Sequence, residues 1–126
     1  MTQIEQTFAR APEHDKCARL NDDCRWMRGD ALNYRHMITH GVNALITDGD
    51  PRLQIMRSAQ LQAVIRNYKF DPGDGNERDF GCFDFMGERL FFKIDAYDRN
   101  LEYGSPDPAD ASVTIRVMTV MLASEY

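Results

Sequence analysis

The sequence predicts a single α+β domain over residues 1–126, in which a small antiparallel sheet is built on a central β-hairpin. About three helices are expected to pack mainly on one face of that sheet. Three observations predict this. Residues 80–97 alternate in hydropathy on both sides of a glycine turn, as hairpin strands do. Asp50 and Pro51 form a helix-start signal. A length of 126 residues suits one hydrophobic core.

Composition indicates a globular protein of the cytoplasm. Hydrophobic residues make up 43% of the chain and aromatic residues 10%, which is typical of folded domains. No apolar run is long enough to span a bilayer, and the opening residues lack the apolar segment of a signal peptide. The three cysteines include no C-x-x-C pair. We therefore expect reduced thiols and no structural zinc site.

Charge is distributed unevenly along the chain. Residues 1–70 carry ten Lys or Arg against eight Asp or Glu, whereas residues 71–126 carry five against twelve. Direct binding of nucleic acid, which needs clustered cations, is not expected. The acidic second half indicates a protein partner with a basic surface, or mimicry of nucleic-acid charge. The alternative is that a net charge of −5 serves solubility alone.

Two elements are predicted before Asp50. A helix over residues 13–27 follows from apolar residues spaced by three and four, namely Cys17, Leu20, Cys24 and Met27. A short strand over residues 34–38 follows, ended by Gly41. His36 and His40 would share a face on a helix, but a strand does not supply that geometry. No metal ligand set is therefore expected here.

The second helix is predicted from Pro51, with Asp50 as its N-cap, to about Tyr68. Its buried residues are expected to be Leu53, Met56, Leu61, Val64, Ile65 and Tyr68. The acidic loop over residues 69–79 does not have the ligand spacing of a calcium-binding loop, so it is interpreted as a solvated connection.

The hairpin is predicted to turn at Gly87 and Glu88, which places Phe85 opposite Leu90 and Phe83 opposite Phe92. This pairing defines two faces of the sheet. The apolar face carries Gly81, Phe83, Phe85, Leu90, Phe92, Ile94 and Ala96. The mixed face carries Phe80, Cys82, Asp84, Phe91, Lys93, Asp95 and Tyr97, with Asp84 within reach of Lys93 for an ion pair. The mixed face either binds a partner or is covered by another part of the chain.

After the hairpin, a turn at residues 98–100 is predicted to lead into a short strand over residues 101–103. Asp110 is the expected N-cap of a last helix whose body is Val113 to Leu122. Its β-branched residues would also allow a strand. The capped start and the spacing of its apolar residues favour the helix.

The chain resembles a known family in several segments. These are FGCF at 80–83, ARLND at 18–22, His40-Gly41-Val42, and the long run from Gly87 to Tyr126 that begins GERLFFKIDAYDRN. They are similar to a family of bacterial domains of unknown function numbered thirty-seven sixty-eight. The resemblance implies an origin on plasmids and other mobile elements. It implies no activity, catalytic residue or cofactor.

These observations lead to one principal hypothesis. The chain is expected to be a non-enzymatic interaction protein of a mobile element, such as an anti-CRISPR or anti-restriction inhibitor of host defence. Its acidic surface would block a basic nucleic-acid-binding site on the target complex. The expected partner-binding residues are Asp84, Phe91, Lys93, Asp95, Tyr97, Asp98, Glu102, Tyr103, Asp107 and Asp110.

The alternative hypothesis is a small hydrolase or metal-dependent enzyme. Its carboxylates would be Asp95, Asp98, Asp107 and Asp110, converging with Lys93 on a pocket. Against it, Asp98 also suits a turn and Asp110 a cap, roles that need no chemistry.

Overall fold

A computed structural model describes residues 12–71 and 77–126 of the chain. Within these residues it contains three helices and four strands. The helices are α1 (Pro12–Trp26), α2 (His40–Thr47) and α3 (Pro51–Arg66). The strands are β1 (Tyr34–Ile38), β2 (Phe80–Phe85), β3 (Glu88–Tyr97) and β4 (Ile115–Leu122). Residues 72–76 of the loop that was tested for a calcium pattern lie outside the described residues.

The strands form one sheet in the order β1-β4-β3-β2. β1 runs parallel to β4, and the other two pairs are antiparallel. All three helices contribute to a core with one face of the sheet, through residues such as Cys24, Ile46 and Ile65. The predicted α+β class, with a mostly antiparallel sheet and helices on one face, is confirmed.

Local capping signals explain where the helices begin. The Asp50 side chain accepts a hydrogen bond from the Arg52 amide, and Pro51 follows it, as predicted. The predicted strand over residues 34–38 is confirmed with the same bounds. Helix α2 was not predicted, because Gly41 was interpreted as a terminator. Thr39 caps α2, and its hydroxyl accepts a hydrogen bond from the Val42 amide.

Several predicted core residues are exposed instead. Cys17 and Cys24 are buried, but Met27 is 56% exposed and lies after α1, where its φ of 59° ends the helix. Met56 on α3 is 52% exposed, whereas Leu61 and Ile65 are buried. All three cysteines are free.

His36 and His40 do not share a helical face. His36 is on β1, where its Nε2 lies 2.6 Å from the Cys24 carbonyl oxygen. His40 begins α2. The two side chains are therefore positioned by different elements.

The hairpin register was predicted wrongly, by two residues. The turn is Met86-Gly87, and φ is positive at both residues (53° and 80°), as a type I′ turn requires. Phe83 therefore lies opposite Leu90, and Gly81 lies opposite Phe92. A shift of two residues keeps every side chain on the same face, so the apolar face was predicted correctly.

The predicted last helix is also wrong, because Ile115–Leu122 forms the central strand β4. Asp110 is a cap, as expected, but it caps only the 3-10 turn Ala111–Val113. The run after it is buried at nearly every position. Strands covered on both faces have this continuous apolar pattern. The predicted strand over residues 101–103 is absent, and only a single bridge joins Tyr97 to Gly104.

Phe92 lies at the centre of the core and is fully buried. The rings of Tyr68 and Phe70 contact it edge-on, with centroids 5.2 and 6.1 Å away. Opposite Phe92, Gly81 has no side chain, and a Cβ there would overlap the Phe92 ring. Gly81 is therefore needed for the close approach of β2 to this ring.

We predict that Gly81→Ala lowers the free energy of unfolding by about 1–3 kcal/mol, because the added methyl overpacks the core beside Phe92. Chemical denaturation measures the effect. Gly104→Ala is the matched control, since nothing lies within 4 Å of its added Cβ. Equal stability of the two variants would contradict this account of the core.

Candidate partner-binding surface

The second face of the sheet carries the mixed side chains, and none of the described helices packs in the core on that side. Phe91, Lys93, Asp95 and Tyr97 alternate onto this face along β3, as predicted. Three rings on it form an aromatic cluster, which consists of Phe80, Phe91 and Tyr126. The ring centroids of Phe80 and Phe91 are 5.1 Å apart, and Tyr126 lies 5.5 Å from Phe91.

The charged side chains of this face are paired with one another. Asp84 contacts Arg89 at 2.9 Å, because the register places these residues opposite each other. The predicted ion pair between Asp84 and Lys93 is therefore wrong. Lys93 instead contacts Asp95 at 2.9 Å, and this hydrogen bond raises the pKa of the Lys93 ammonium. Both carboxylates that β2 and β3 place on this face are therefore in ion pairs.

The unbalanced negative charge lies in the segment after β3, residues 98–110, which we call the acidic turns. The Asp98 carboxylate accepts hydrogen bonds from the Asn100 and Glu102 amides, both at 3.1 Å. Glu102 and Tyr103 are exposed, and Tyr103 retains 73% of its accessible surface. These exposed side chains lie in the turn that follows β3.

Asp107 and Asp110 lie on the helix side of the sheet. The Asp107 carboxylate accepts a hydrogen bond from the Ala109 amide at 3.2 Å. The Asp110 carboxylate accepts from the Ser112 hydroxyl at 2.6 Å and the Ser112 amide at 2.9 Å, which lowers the pKa of Asp110. Ala109 lines a groove beside α1. The structure thus divides the predicted site into a sheet face and the acidic turns.

The arrangement bears on the enzymatic alternative. Asp95 is in an ion pair, and Asp98, Asp107 and Asp110 accept hydrogen bonds within their own turns. In the part of the chain that the structure describes, no three His, Cys, Asp or Glu side chains are grouped so as to hold a metal ion. Each of these four carboxylates therefore has a structural role.

Arg116, which sequence reasoning missed, anchors the acidic turns. It is 3% exposed on β4. Its Nε donates to Asn21 Oδ1 on α1, and its Nη2 donates to the Pro108 carbonyl, both at 2.7 Å. Burial lowers the pKa of this guanidinium. The signal available in the sequence was a single charged residue inside the apolar run of residues 115–122.

Glu125 was also missed, and it fixes the last turn of the chain. Its carboxylate accepts hydrogen bonds from the Thr39 hydroxyl at 2.6 Å, the Leu122 amide at 2.8 Å and the Gly41 amide at 3.1 Å. The first of these contributes most to lowering the pKa of Glu125. Tyr126 follows directly, so this carboxylate helps to position the aromatic cluster.

The fold and this surface define a small α+β domain whose distinctive features are an aromatic sheet face and neighbouring acidic turns. Residues 38–125 match the family model described as "Protein of unknown function (DUF3768)". This match covers well over half of the chain, so the chain belongs to that family, as the resemblance indicated. No curated protein and no solved structure matches the chain. Among the described residues, no helix combines the length and hydrophobicity needed to cross a membrane.

We predict that Glu125→Gln lowers stability at pH 7, and that the difference from the wild type disappears in acid. The folded-state pKa of Glu125 is below its ordinary value of 4.5. The carboxylate therefore stabilises the fold above the unfolded-state pKa, and this contribution is lost as the pH falls through the folded-state pKa.

Denaturation of both proteins from about pH 7 to about pH 2 measures this linkage. Glu88→Gln is the control, because Glu88 is exposed and its substitution changes charge alone. Asp98→Asn would not serve, since it changes another capped turn. A Glu125→Gln difference that stays constant across this pH range would show that the charge does not contribute.

Proposed function

We propose that this chain is a non-enzymatic interaction protein of a bacterial mobile element, which inhibits a host defence complex of the CRISPR or restriction type. In this proposal the acidic turns occupy a basic nucleic-acid-binding site on the target. The observation that carries the proposal is a set of carboxylates in these turns that form no ion pair within 4 Å with the residues that the structure describes. The proposed inhibition does not require any catalytic group.

The charge pattern supports this choice of surface. Asp98, Glu102, Asp107 and Asp110 form no ion pair within 4 Å with any residue that the structure describes. The carboxylates of the sheet face, Asp84 and Asp95, are by contrast in ion pairs. A cationic partner would therefore be attracted chiefly by the turns.

The acidic turns are also held in place before a partner arrives. Thr114 is buried, and its hydroxyl contacts the Asp107 carbonyl oxygen at 3.0 Å and the Asp110 carbonyl oxygen at 2.8 Å. Arg116 holds the Pro108 carbonyl between them. Groups that are already ordered lose less conformational entropy on binding. This rigidity favours recognition of a folded basic surface.

The neighbouring side chains supply contact area. Tyr103 is exposed within the acidic turns, and Phe80, Phe91 and Tyr126 form the aromatic cluster on the sheet face. Aromatic residues contribute much of the binding free energy at protein interfaces. We therefore assign steering to the carboxylates and most of the buried area to the rings.

The partner is to be captured with the tagged chain from a lysate of the natural host and identified by mass spectrometry. We predict that its affinity falls steeply as ionic strength rises from about 0.05 M to about 0.5 M. Glu102→Gln with Asp107→Asn should weaken binding about threefold to tenfold at low salt. Glu88→Gln, which removes an exposed charge outside the predicted partner-binding residues, is the control and should have a smaller effect. Affinity that ignores both salt and the double substitution would refute charge mimicry.

A further inference from the structure

The two edges of the sheet are formed by β2 and β1, and they differ in how exposed they are. On β2, the backbone amide of Cys82 donates a hydrogen bond away from β3, to the Tyr68 hydroxyl at 3.3 Å. The segment after α3 therefore covers part of this edge. On β1, Met37 is 57% exposed and Ile38 is 41% exposed. The β1 edge is the more open of the two.

Three residues of β1 direct their backbone groups away from the sheet. The amide of Thr39, directly after β1, donates to the Val120 carbonyl of β4 at 3.0 Å. Backbone groups of successive strand residues point alternately to the two sides of the strand, so those of Arg35 and Met37 also point toward β4. The outward-facing residues are Tyr34, His36 and Ile38.

Most of these outward-facing groups have no hydrogen-bond partner. The Tyr34 amide donates to the Ala31 carbonyl, and the Tyr34 carbonyl accepts from the Arg35 guanidinium at 2.9 Å. The backbone groups of His36 and Ile38 on this side form no hydrogen bond with the residues that the structure describes. An exposed strand edge of this kind is a template for pairing with another strand.

The surroundings of this edge favour a flat partner strand. Peptides that add a strand to a sheet edge gain specificity from side-chain pockets beside that edge. The cavity beside β1 has a volume of only about 90 Å³, well below that of small-molecule sites. It is lined by Met27, Ala31, Tyr34 and His36. Leu32, which precedes β1, is 66% exposed. The edge therefore offers exposed apolar side chains and a shallow surface.

We propose that β1 pairs with β1 of a second copy of this chain, antiparallel and about a two-fold axis at His36. The outward-facing residues are symmetric about His36, so the strand is complementary to itself. Each His36 exchanges both backbone hydrogen bonds with His36 of the second copy. The Ile38 amide donates to the Tyr34 carbonyl of the second copy, since a carbonyl can accept two hydrogen bonds. The two sheets then become continuous.

The side chains of β1 fit the same register. β1 carries Arg35 and no carboxylate. In this register Met37 lies directly opposite Arg35 of the second copy, and both side chains are on the mixed face. Opposite side chains approach most closely at such a pair, which exchanges no hydrogen bonds. The alkyl part of Arg35 can therefore cover Met37. This interface goes beyond the proposed function and does not involve the acidic turns.

Sedimentation equilibrium of the purified full chain measures self-association, and we expect a dimer with a Kd between about 1 and about 100 µM. Met37→Glu places a carboxylate opposite Arg35 of the second copy and should keep or tighten the dimer. Met37→Lys places a like charge there and should weaken the dimer at least about tenfold. Repulsion between net charges predicts the reverse order, because the chain carries a net charge of −5.

Ile55→Lys is the matched control, because Ile55 is 79% exposed on α3 and its substitution adds the same charge away from β1. It should leave the dimer Kd unchanged, and circular dichroism checks that all three variants fold. A chain that stays monomeric at about 100 µM would overturn the proposal. A dimer that Met37→Glu and Met37→Lys weaken equally would also overturn it. Because the purified chain is tested alone, neither result bears on the proposed inhibition.

Discussion

The buried guanidinium of Arg116 constrains the rest of the structure. Arg116 lies on an inner strand of the sheet, so other parts of the chain have to supply acceptors for its N–H groups. Desolvating such a group is costly. Asn21 on α1 and the Pro108 carbonyl accept its hydrogen bonds, each at 2.7 Å. The Asn21 amide nitrogen also donates to the Glu77 carbonyl at 2.9 Å. Arg116 thus connects α1 to the acidic turns, and Asn21 extends this connection to Glu77, which precedes the hairpin.

This connection decides how the candidate surface is divided. Because Pro108 is held by Arg116, Asp107 and Asp110 lie on the helix side of the sheet, whereas Lys93 and Asp95 lie on the other face. A single partner that contacted both parts would have to pass around the end of β3, near Tyr97. If the proposed function holds, we expect the partner's basic site to be concave or extended and not flat.

Sequence reasoning succeeded where the signal is local. The cap at Asp50, the strand over residues 34–38 and the two faces of the hairpin all follow from neighbouring residues. It failed at β4, since a capped start and an apolar run describe a helix as well as a buried strand. The segment is a strand because it is buried between β1 and β3, and only the tertiary structure shows this burial.

The same distinction applies to the candidate site. The side chains of β3 and the turn roles of Asp98 and Asp110 were predictable from spacing. The contacts of Arg116 with Asn21 and of Glu125 with Thr39 join residues that are 95 and 86 positions apart. No local pattern predicts such pairs. They nevertheless determine where the acidic turns and Tyr126 lie.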